Sequence, residues 1–492
     1  MPPYDAEMFV PVDGTDEGDG GEPPLPAPPS PALVSSLLAP RPLDSQLGVL
    51  RAAVHDAFHF DEALATAYAG WGQDAWRHAI EANLLSGERF TARSFQRHVR
   101  QWQTFFEAAG CAAHPLACEV LPWLQHGYYL SFVSPFAPCQ KSHPRFEARL
   151  ARARRALGRV VGAAHVDAYL RGTQPRPVRF PNHESCNAEA AFVASELQTF
   201  VQLGALAPYD ACVHGHGIVV HPMSVAIHPT SGKRRLCIDA NYTNIFERYL
   251  PVHFELLPEV LHLVRPGDWA FSTDCTKGYL HLGLHPSASR FLGVSFAGRT
   301  YVFLALPFGL SSAVYAFTRV MQASYLPLRM AGRRFSFMID DRLGLAPSFA
   351  ACLLDIYIAV RVGACLGCFF GLLKCALWPT RSPLYQGMLL CLGEGVVRLP
   401  MHKVQKFTDL AAELTAAASL SNRQLARLAG MLISFSLAVP LGRLYAQRLF
   451  EARVRGCGWD AIFPPAPLLQ QHIAWLARYV AEASAPELPD PN

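Results

Sequence analysis

The stretch FSFMIDDRLG, Phe335 to Gly344, ends an apolar run in two adjacent carboxylates, Asp340 and Asp341. Phe335, Phe337 and Ile339 alternate with smaller or softer residues before the pair, and Leu343 and Leu345 follow it. This alternation predicts strand, tight turn, strand. Two like charges side by side repel, and burying them is costly unless something positive compensates. A second acid has a comparable setting in WAFSTDCTKGYLHLGLH, Trp269 to His285: Asp274 ends an apolar run, and a helix-or-turn stretch with Tyr279 follows. Between the two lies YVFLALPFGLSSAVYAFTRVM, Tyr301 to Met321, which reads as a strand, a Pro-Phe-Gly turn and a helix opening at Ser311 or Ser312. An acid at the end of one strand and an acid pair at the turn of a neighbouring hairpin can meet. Such a cluster is a ligand set for hard divalent ions, because Mg²⁺ takes carboxylate oxygens together with substrate phosphates. Two such ions, about 3.5–4 Å apart, clamp the attacking and leaving oxygens of a phosphoryl transfer. The plain alternative is that Asp simply favours turns.

The elements that must position these acids follow from periodicity. From Asp268 to about Leu390 strands and helices alternate. Upstream, Val193, Leu197, Phe200 and Val201 share one helix face, with Gly204 as its C-terminal cap. Short β-like runs follow at Gly217–Val220, Ser224–His228 and Arg235–Asp239, the last after the turn Thr230-Ser231-Gly232-Lys233. Beyond Leu390 the chain reads as helical, and Ser421 to Gln424 has the form of a capping box. Residues 46–161 show helical spacing of Trp, Phe and Leu with interspersed Arg, including Arg149, Arg152, Arg154 and Arg155, but no mechanism. Arg171 to His183 breaks that pattern and reads as a linker. Residues 1–45 are Pro, Gly and acid-rich and read as disordered.

The chain has 492 residues, 51% hydrophobic and 17% charged, enough for more than one core. Residues 1–30 hold seven acids and no Lys or Arg, so the net charge of +4 hides a basic body. That body suits a polyanionic partner, or an ordinary solvated surface. Met1-Pro-Pro-Tyr-Asp lacks the basic and apolar regions of a signal peptide. The longest apolar stretch, Leu353 to Leu373, carries Asp355 and Arg361, so it reads as a core helix and no membrane association is expected. Cys365 and Cys368 fall inside it and read as small buried thiols; free thiols fit the cytoplasm or nucleus. Cys212, His214, His216 and His221 have a faint metal-ligand look.

Several of these motifs, in this order, resemble the palm of reverse transcriptases. The pattern is nearest to retrotransposons of the long-terminal-repeat class and the DIRS-like (tyrosine-recombinase) group. FSTDCTKGYLHLGLHPSASRFLGVSFAGRTYVFLALPFGLSSA resembles their first motif followed by the Leu-Pro-Phe-Gly-Leu-Ser-Ser-Ala signature, and MIDD matches Tyr-x-Asp-Asp. The likeness runs from about Pro181 to Phe450. It implies an α+β right-hand polymerase fold of fingers, palm with an antiparallel sheet, and helical thumb. The expected division is a tail (1–45), a helical N-terminal region (46–175), fingers and first palm elements (176–270), palm (271–395), thumb (396–455) and a C-terminal tail (456–492).

The resemblance implies a metal-binding and catalytic set of Asp274, Asp340 and Asp341, holding two Mg²⁺ ions, with Mn²⁺ as a substitute. It implies that Tyr279 is a steric gate against a ribose 2′-hydroxyl and that Phe308 and Gly309 line the nucleotide pocket. Arg235, in GKRRLCIDANYTN, would contact the incoming triphosphate through its planar fork. Lys374, in FFGLLKCALWP, would protonate departing pyrophosphate. Tyr385, Gln386 and Gly387 would grip the primer end. Lys403, Lys406, Arg423, Arg427, Arg443 and Arg448 would track a duplex, or are surface charges on helices. Expected partners are an RNA or DNA template with primer, deoxynucleoside triphosphates and other retrotransposon proteins. The pattern is departed from in three places: Met338 where Tyr is usual, Asn241 where Arg is common, and Ala313-Val314-Tyr315 where Ala-Pro is usual. The stretch after Arg455 is too short for an RNase H, and none is expected, nor a recombinase. Rival readings are a non-catalytic nucleic-acid-binding relic and a protein-interaction module built on the N-terminal regions.

Overall fold

The structure is a computed structural model that describes residues 72–81, 89–228, 231–454 and 457–484, together with Gly48. The acidic tail, Pro229 and Thr230 of the expected turn, and the final eight residues lie outside the described residues. The chain folds as a mixed α+β structure of several sheets with helices packed on them.

After short helices at Gln73–Ala79 and Ser94–Arg97 come the longer α1 (Val99–Ala108), α2 (Pro115–His126) and α3 (Phe146–Val161). The segment expected as a linker contains a short strand, β1 (Val178–Arg179), which pairs in parallel with β3 (Val219–His221). Prolines at 175 and 177 had masked it. Between them lie α4 (Ala190–Gln202) and β2 (Leu206–Pro208). Gly204, at φ 73°, ends α4 as the sequence implied. A hairpin of β4 (Met223–Ile227) and β5 (Arg234–Ile238) follows, then a helical turn, α5 (Asn241–Asn244). Strands β7 (Gly293–Phe296) and β8 (Arg299–Phe303) complete a five-stranded sheet ordered β1-β3-β7-β8-β2.

The palm sheet is antiparallel and four-stranded, with β6 (Trp269–Thr273), β9 (Arg334–Met338), β10 (Asp341–Ala346) and β11 (Ala376–Thr380) ordered β11-β6-β10-β9. Helices α6 (Ser311–Ser324) and α7 (Phe349–Cys365) pack against it. Helix α7 is buried nearly all round, and its Asp355 is paired with Arg333 at 3.3 Å. It stops at Cys365, short of the expected Leu373. Gly367, at φ 86°, turns the chain so that the Cys368 N–H reaches the Gly363 carbonyl at 2.8 Å. Cys368 therefore lies beyond the helix and not inside it. Among the described residues no helix is long and apolar enough to cross a membrane.

After a small sheet of β12 (Leu384–Tyr385), β13 (Met388–Cys391) and β14 (Val396–Arg398) come α8 (Met401–Ala416), α9 (Asn422–Ser434) and α10 (Gly442–Glu451). Ser421 and Gln424 form the expected capping box at the start of α9. The segment expected as a tail forms α11 (Pro467–Glu482), which packs along α8 through Ile473, Leu476 and Val480. Its apolar face completes the bundle's core, so it is part of the thumb and not an appendage.

The N-terminal helices are fastened to the palm core. Trp102 is fully buried, and its Nε1 donates to the Leu366 carbonyl at 3.0 Å. Trp76 Nε1 donates to the Leu377 carbonyl at 2.7 Å. Removing an aromatic buried like Trp102 costs about 3–5 kcal/mol, so this region is integral to the fold. His281 supplies a further clamp. The Phe369 N–H donates to its Nε2 at 3.0 Å, while Nδ1 bonds the Gly278 carbonyl at 2.8 Å. Only the neutral ring can accept at Nε2 and donate at Nδ1. Phe90 and Phe95 lie 4.9 and 5.0 Å away, ring to ring.

Burial pushes His281 down to about 3, with the Gly278 hydrogen bond acting the other way; burial likewise holds His221 at about 4. Both folded-state values lie below the unfolded value of about 6.5, so this stability is present above that pH and is lost as pH falls. At about pH 5 each ring should cost about 2 kcal/mol of stability. Melting temperature should therefore drop between about pH 7.5 and pH 5, and drop less in His281→Gln. Equal pH slopes in the two proteins would show that His281 is not the titrating clamp.

Candidate active site

The hairpin register brings the acids together. Strand β10 pairs with β6 so that Arg342 faces Thr273, the neighbours in sequence of Asp341 and Asp274, and each of the two acids feels the other's charge. On its other side β10 pairs with β9, Asp341 facing Met338, which leaves Ile339 and Asp340 as a two-residue turn. Ile339 has φ 60°, a left-handed conformation that β-branched residues rarely adopt. Asp340 thereby projects from the hairpin tip toward Gly278, where an added Cβ would lie 3.7 Å from the Asp340 Cβ. Asp274 is buried at 7% exposure, while Asp341 is exposed.

Burial raises Asp340 above the usual carboxylate range and Asp274 adds to it; Lys374 and Arg342 act against the rise. Burial also raises Asp341, and both neighbouring carboxylates push it further. Two cations answer the acids. Lys374 Nζ sits 3.2 and 3.3 Å from the two Asp274 oxygens, on a side chain 71% exposed. Its loop comes so close that a Cβ on Gly371 would lie 2.7 Å from Asp274 Oδ2, so a side chain there would have to displace that carboxylate.

The second cation, Arg342, went unrecognised in the sequence. It is 2% exposed and touches no carboxylate among the described residues. Its Nη1 donates to Tyr325 Oη at 3.0 Å and its Nη2 to Cys275 Sγ at 2.8 Å; its guanidinium lies 4.9 Å from the Phe370 ring. Cys275 and Cys368 Sγ atoms are 3.0 Å apart. Burial favours the protonated thiol at Cys368, but the Cys275 hydrogen bond and Arg342 outweigh it and bring Cys368 down to about 7. The one available signal was a charged residue on an otherwise apolar strand.

The other expected residues fall into three groups. Tyr279 lies beside the acids: burial and then the Asp340 charge push its hydroxyl up to about 12, and its ring is 5.0 Å from Phe308 and 5.4 Å from Phe317. Phe308 is half exposed. Gly309, at φ 95°, makes its close approach to β5, where an added Cβ would lie 2.2 Å from the Ile238 carbonyl oxygen. Tyr385, Gln386 and Gly387 form a separate hairpin with φ 46° and 74° at its two turn residues. Tyr385 is buried and bonds Ser336 of β9 at 3.2 Å, while Gln386 Nε2 donates to the Glu255 carbonyl at 2.7 Å. Tyr385 thus ties its hairpin to the palm and presents no ring to solvent. Arg235 is exposed on β5, and no contact brings it to the acids.

Asn244 and Glu247 were also not singled out. Asn244 Nδ2 donates to the Gly309 carbonyl at 2.8 Å, and its Oδ1 accepts from the Ser311 N–H at 2.8 Å. One amide thus braces the Pro-Phe-Gly turn against the start of α6. Buried Glu247 accepts from the Ser312 hydroxyl at 2.5 Å. The Cys212–His221 group forms no metal site, and His221 is spent on Thr243 and the Phe291 carbonyl. Among the described residues no group of three or more His, Cys, Asp or Glu side chains is arranged to hold a metal ion by itself, and that includes Asp274, Asp340 and Asp341. Asp340 and Asp341 do feel the Asp274 charge, and Mg²⁺ is an ion that completes a few carboxylate ligands with water and substrate phosphates.

No family model and no curated protein matches the chain. Solved structures do. A foamy viral protease-reverse transcriptase in complex with double-stranded DNA aligns with TM-score 0.52 and 16% identity, over 65% of this chain and 52% of that one. The foamy viral protease-reverse transcriptase in complex with an RNA/DNA hybrid aligns with TM-score 0.52 and 14% identity, over 62% and 39%. A further complex with double-stranded DNA gives TM-score 0.51 and 16% identity, over 65% and 62%. The chain spans about half the length of these structures. At such identity the likeness concerns the fold, and the chain has a reverse-transcriptase-like fold.

Proposed function

We propose that this chain is a reverse transcriptase that adds deoxynucleotides to a primer 3′ end by phosphoryl transfer, as in retrotransposons of the DIRS-like or long-terminal-repeat kind. The observation that carries the reading is the meeting of Asp274, Asp340 and Asp341 at one sheet end with Tyr279 beside them. Asp274, Asp340 and Asp341 would hold two Mg²⁺ ions, which when bound neutralise charge on the attacking and leaving oxygens. The ring of Tyr279, backed by Phe308 and Phe317, walls one side of the pocket where it would press on the sugar's C2′. Lys374, whose ammonium lies beside Asp274, would hand a proton to departing pyrophosphate. Arg235 would take triphosphate oxygens in a bidentate grip as the β4–β5 hairpin covers the pocket. Gln386 and Gly387 would support the primer end, with template and primer lying between palm and thumb.

Primer extension on poly-rA/oligo-dT with Mg²⁺ or Mn²⁺ tests this reading. Wild type should extend, and Asp340→Asn/Asp341→Asn should fall to background while still binding template–primer. Binding by both with extension by neither would favour the non-catalytic relic. Added Mg²⁺ should also raise the melting temperature of the wild type but not of Asp274→Asn.

Tyr279→Ala should lower the preference for deoxynucleotides over ribonucleotides by more than roughly tenfold, the scale on which a pocket senses a missing steric wall. An unchanged ratio of kcat/KM for dTTP and UTP would place the gate elsewhere.

A further inference from the structure

Helix α3 lies upstream of every element that carries the candidate site, yet it reaches that site directly. Arg149 Nη2 donates to Ser311 Oγ at 2.7 Å, at the start of α6. The Asn241 amide donates to the Arg149 carbonyl at 3.1 Å, and Asn244 of the same turn holds the Gly309 carbonyl. Leu150, Ala153 and Leu157 bury one face of α3 in a core shared with β1, β3 and α5. The opposite face is arginine. At 3.6 residues per turn, Arg145, Arg152, Arg155 and Arg159 fall within about 80° of one another, and all four are exposed. None has a carboxylate within 4.0 Å among the described residues. The nearby acids lie on the flank: Asp167 pairs with Arg154 at 3.8 Å, and Glu147 shares that side of the helix. An ordinary solvated surface intersperses both signs of charge. This stripe has one sign only, over a helix about 24 Å long.

The contacts around the acids run in one series. Lys403 of thumb helix α8 meets Gly387, and Tyr385 of that hairpin bonds β9 beside Asp341. Asp340 adjoins Tyr279, Tyr279 adjoins Phe308, and Gly309 and Ser311 lead through Asn244 and Arg149 to α3. Thumb and α3 stand at opposite ends of this series. A strand paired with primer on the thumb side leaves the acids unpaired on the α3 side. On that side lies a cleft of about 290 Å³ whose lining includes His143, Arg149, Asn244, Arg248 and Ser311, together with the buried Glu247 that Ser312 caps.

We propose that α3 is the track for the single-stranded template ahead of the candidate active site, its arginine stripe binding backbone phosphates without reading sequence. The proposal rests on the polymerase reading for the direction of the strand and goes beyond it in giving the N-terminal region a role. Arginine suits the task because its fork matches phosphate oxygens, and each phosphate neutralised releases counterions from the strand.

The test compares wild type with R152Q/R155Q/R159Q, all on the outward face, by fluorescence anisotropy. One primer–template carries a ten-nucleotide 5′ template overhang and the other is blunt. Wild type should bind the overhang substrate more tightly. The variant should lose that preference, keep its affinity for the blunt duplex and keep its melting temperature. Three fewer phosphate contacts on a single strand should lower the slope of log affinity against log salt by about 2. Between about 50 and about 200 mM salt that is roughly a 20-fold smaller loss of affinity. An intact overhang preference in the variant would sink the proposal, and so would an equal loss on blunt duplex. Primer extension on a one-nucleotide overhang separates this from the polymerase reading. Extension by wild type, with overhang preference unaltered in the variant, overturns the track alone. No extension by wild type, with the preference lost in the variant, overturns the catalytic reading alone.

Discussion

Three carboxylates held at one end of a sheet are the constraint around which this structure is built. At an effective dielectric of about 20, two charges 4 Å apart repel by about 4 kcal/mol. That is a large fraction of the roughly 5–15 kcal/mol that holds a domain folded. Two cations of different kinds answer it. Lys374 reaches Asp274 from the solvent side on an exposed side chain, so it can leave. Arg342 is fixed beneath the hairpin and cannot leave. A buried arginine ordinarily pairs with a carboxylate, and the two fields then cancel. Here its partners are a tyrosine hydroxyl, two thiols and aromatic faces. Its charge reaches Asp340 and Asp341 as well, and it acts against the rise of both.

The backbone around the acids is shaped by the same demand. Gly371 lets one loop press against Asp274, and Gly278 leaves room beside Asp340. Ile339 accepts a left-handed conformation so that Asp340 can sit at the hairpin tip. His281 ties the Gly278 loop to the Phe369 loop, and the rings of Phe90 and Phe95 keep it dry and neutral. The floor of the site thus includes residues from the N-terminal helices, which is why that region is integral to the palm.

Much of this was legible because it depends on local pattern. The acids announced themselves as charges ending apolar runs, Ser421 and Gln424 as a capping box, and Gly204 as a helix end. What stayed hidden depends on contacts between distant segments. Arg342 looks like any charge after a turn until Cys275 and Cys368 arrive from two other loops. The end of α7 at Cys365 was invisible because the apolar residues continue to Leu373 while a glycine conformation breaks the helix. Strand β1 has two residues and no period of its own. Helix α11 was periodic, but only its packing on α8 shows that it belongs to the bundle. Gly309, expected to line a nucleotide pocket, is pressed against β5, a neighbour that no local pattern announces.

The departures from the reverse-transcriptase pattern gain a physical account from the same contacts. Asn241 spends its amide on the Arg149 carbonyl, and Arg149 then brings a guanidinium to Ser311 beside it. Tyr315, in the run that replaces Ala-Pro, donates its hydroxyl to Glu119 of α2, which also receives Arg319 at 2.6 Å. Two of the three departures therefore lie where the N-terminal helices dock onto the fingers and α6. Met338, the third, faces Asp341 across the hairpin and packs against the thumb-side core. A tyrosine there would place a polar hydroxyl at that boundary, whereas methionine fills an irregular gap without needing a partner. None of the three substitutions touches an oxygen of Asp274, Asp340 or Asp341. The residues that differ are those in contact with helices α2 and α3 or with the thumb, while the strained Ile339 and the buried Arg342 lie at the acids themselves.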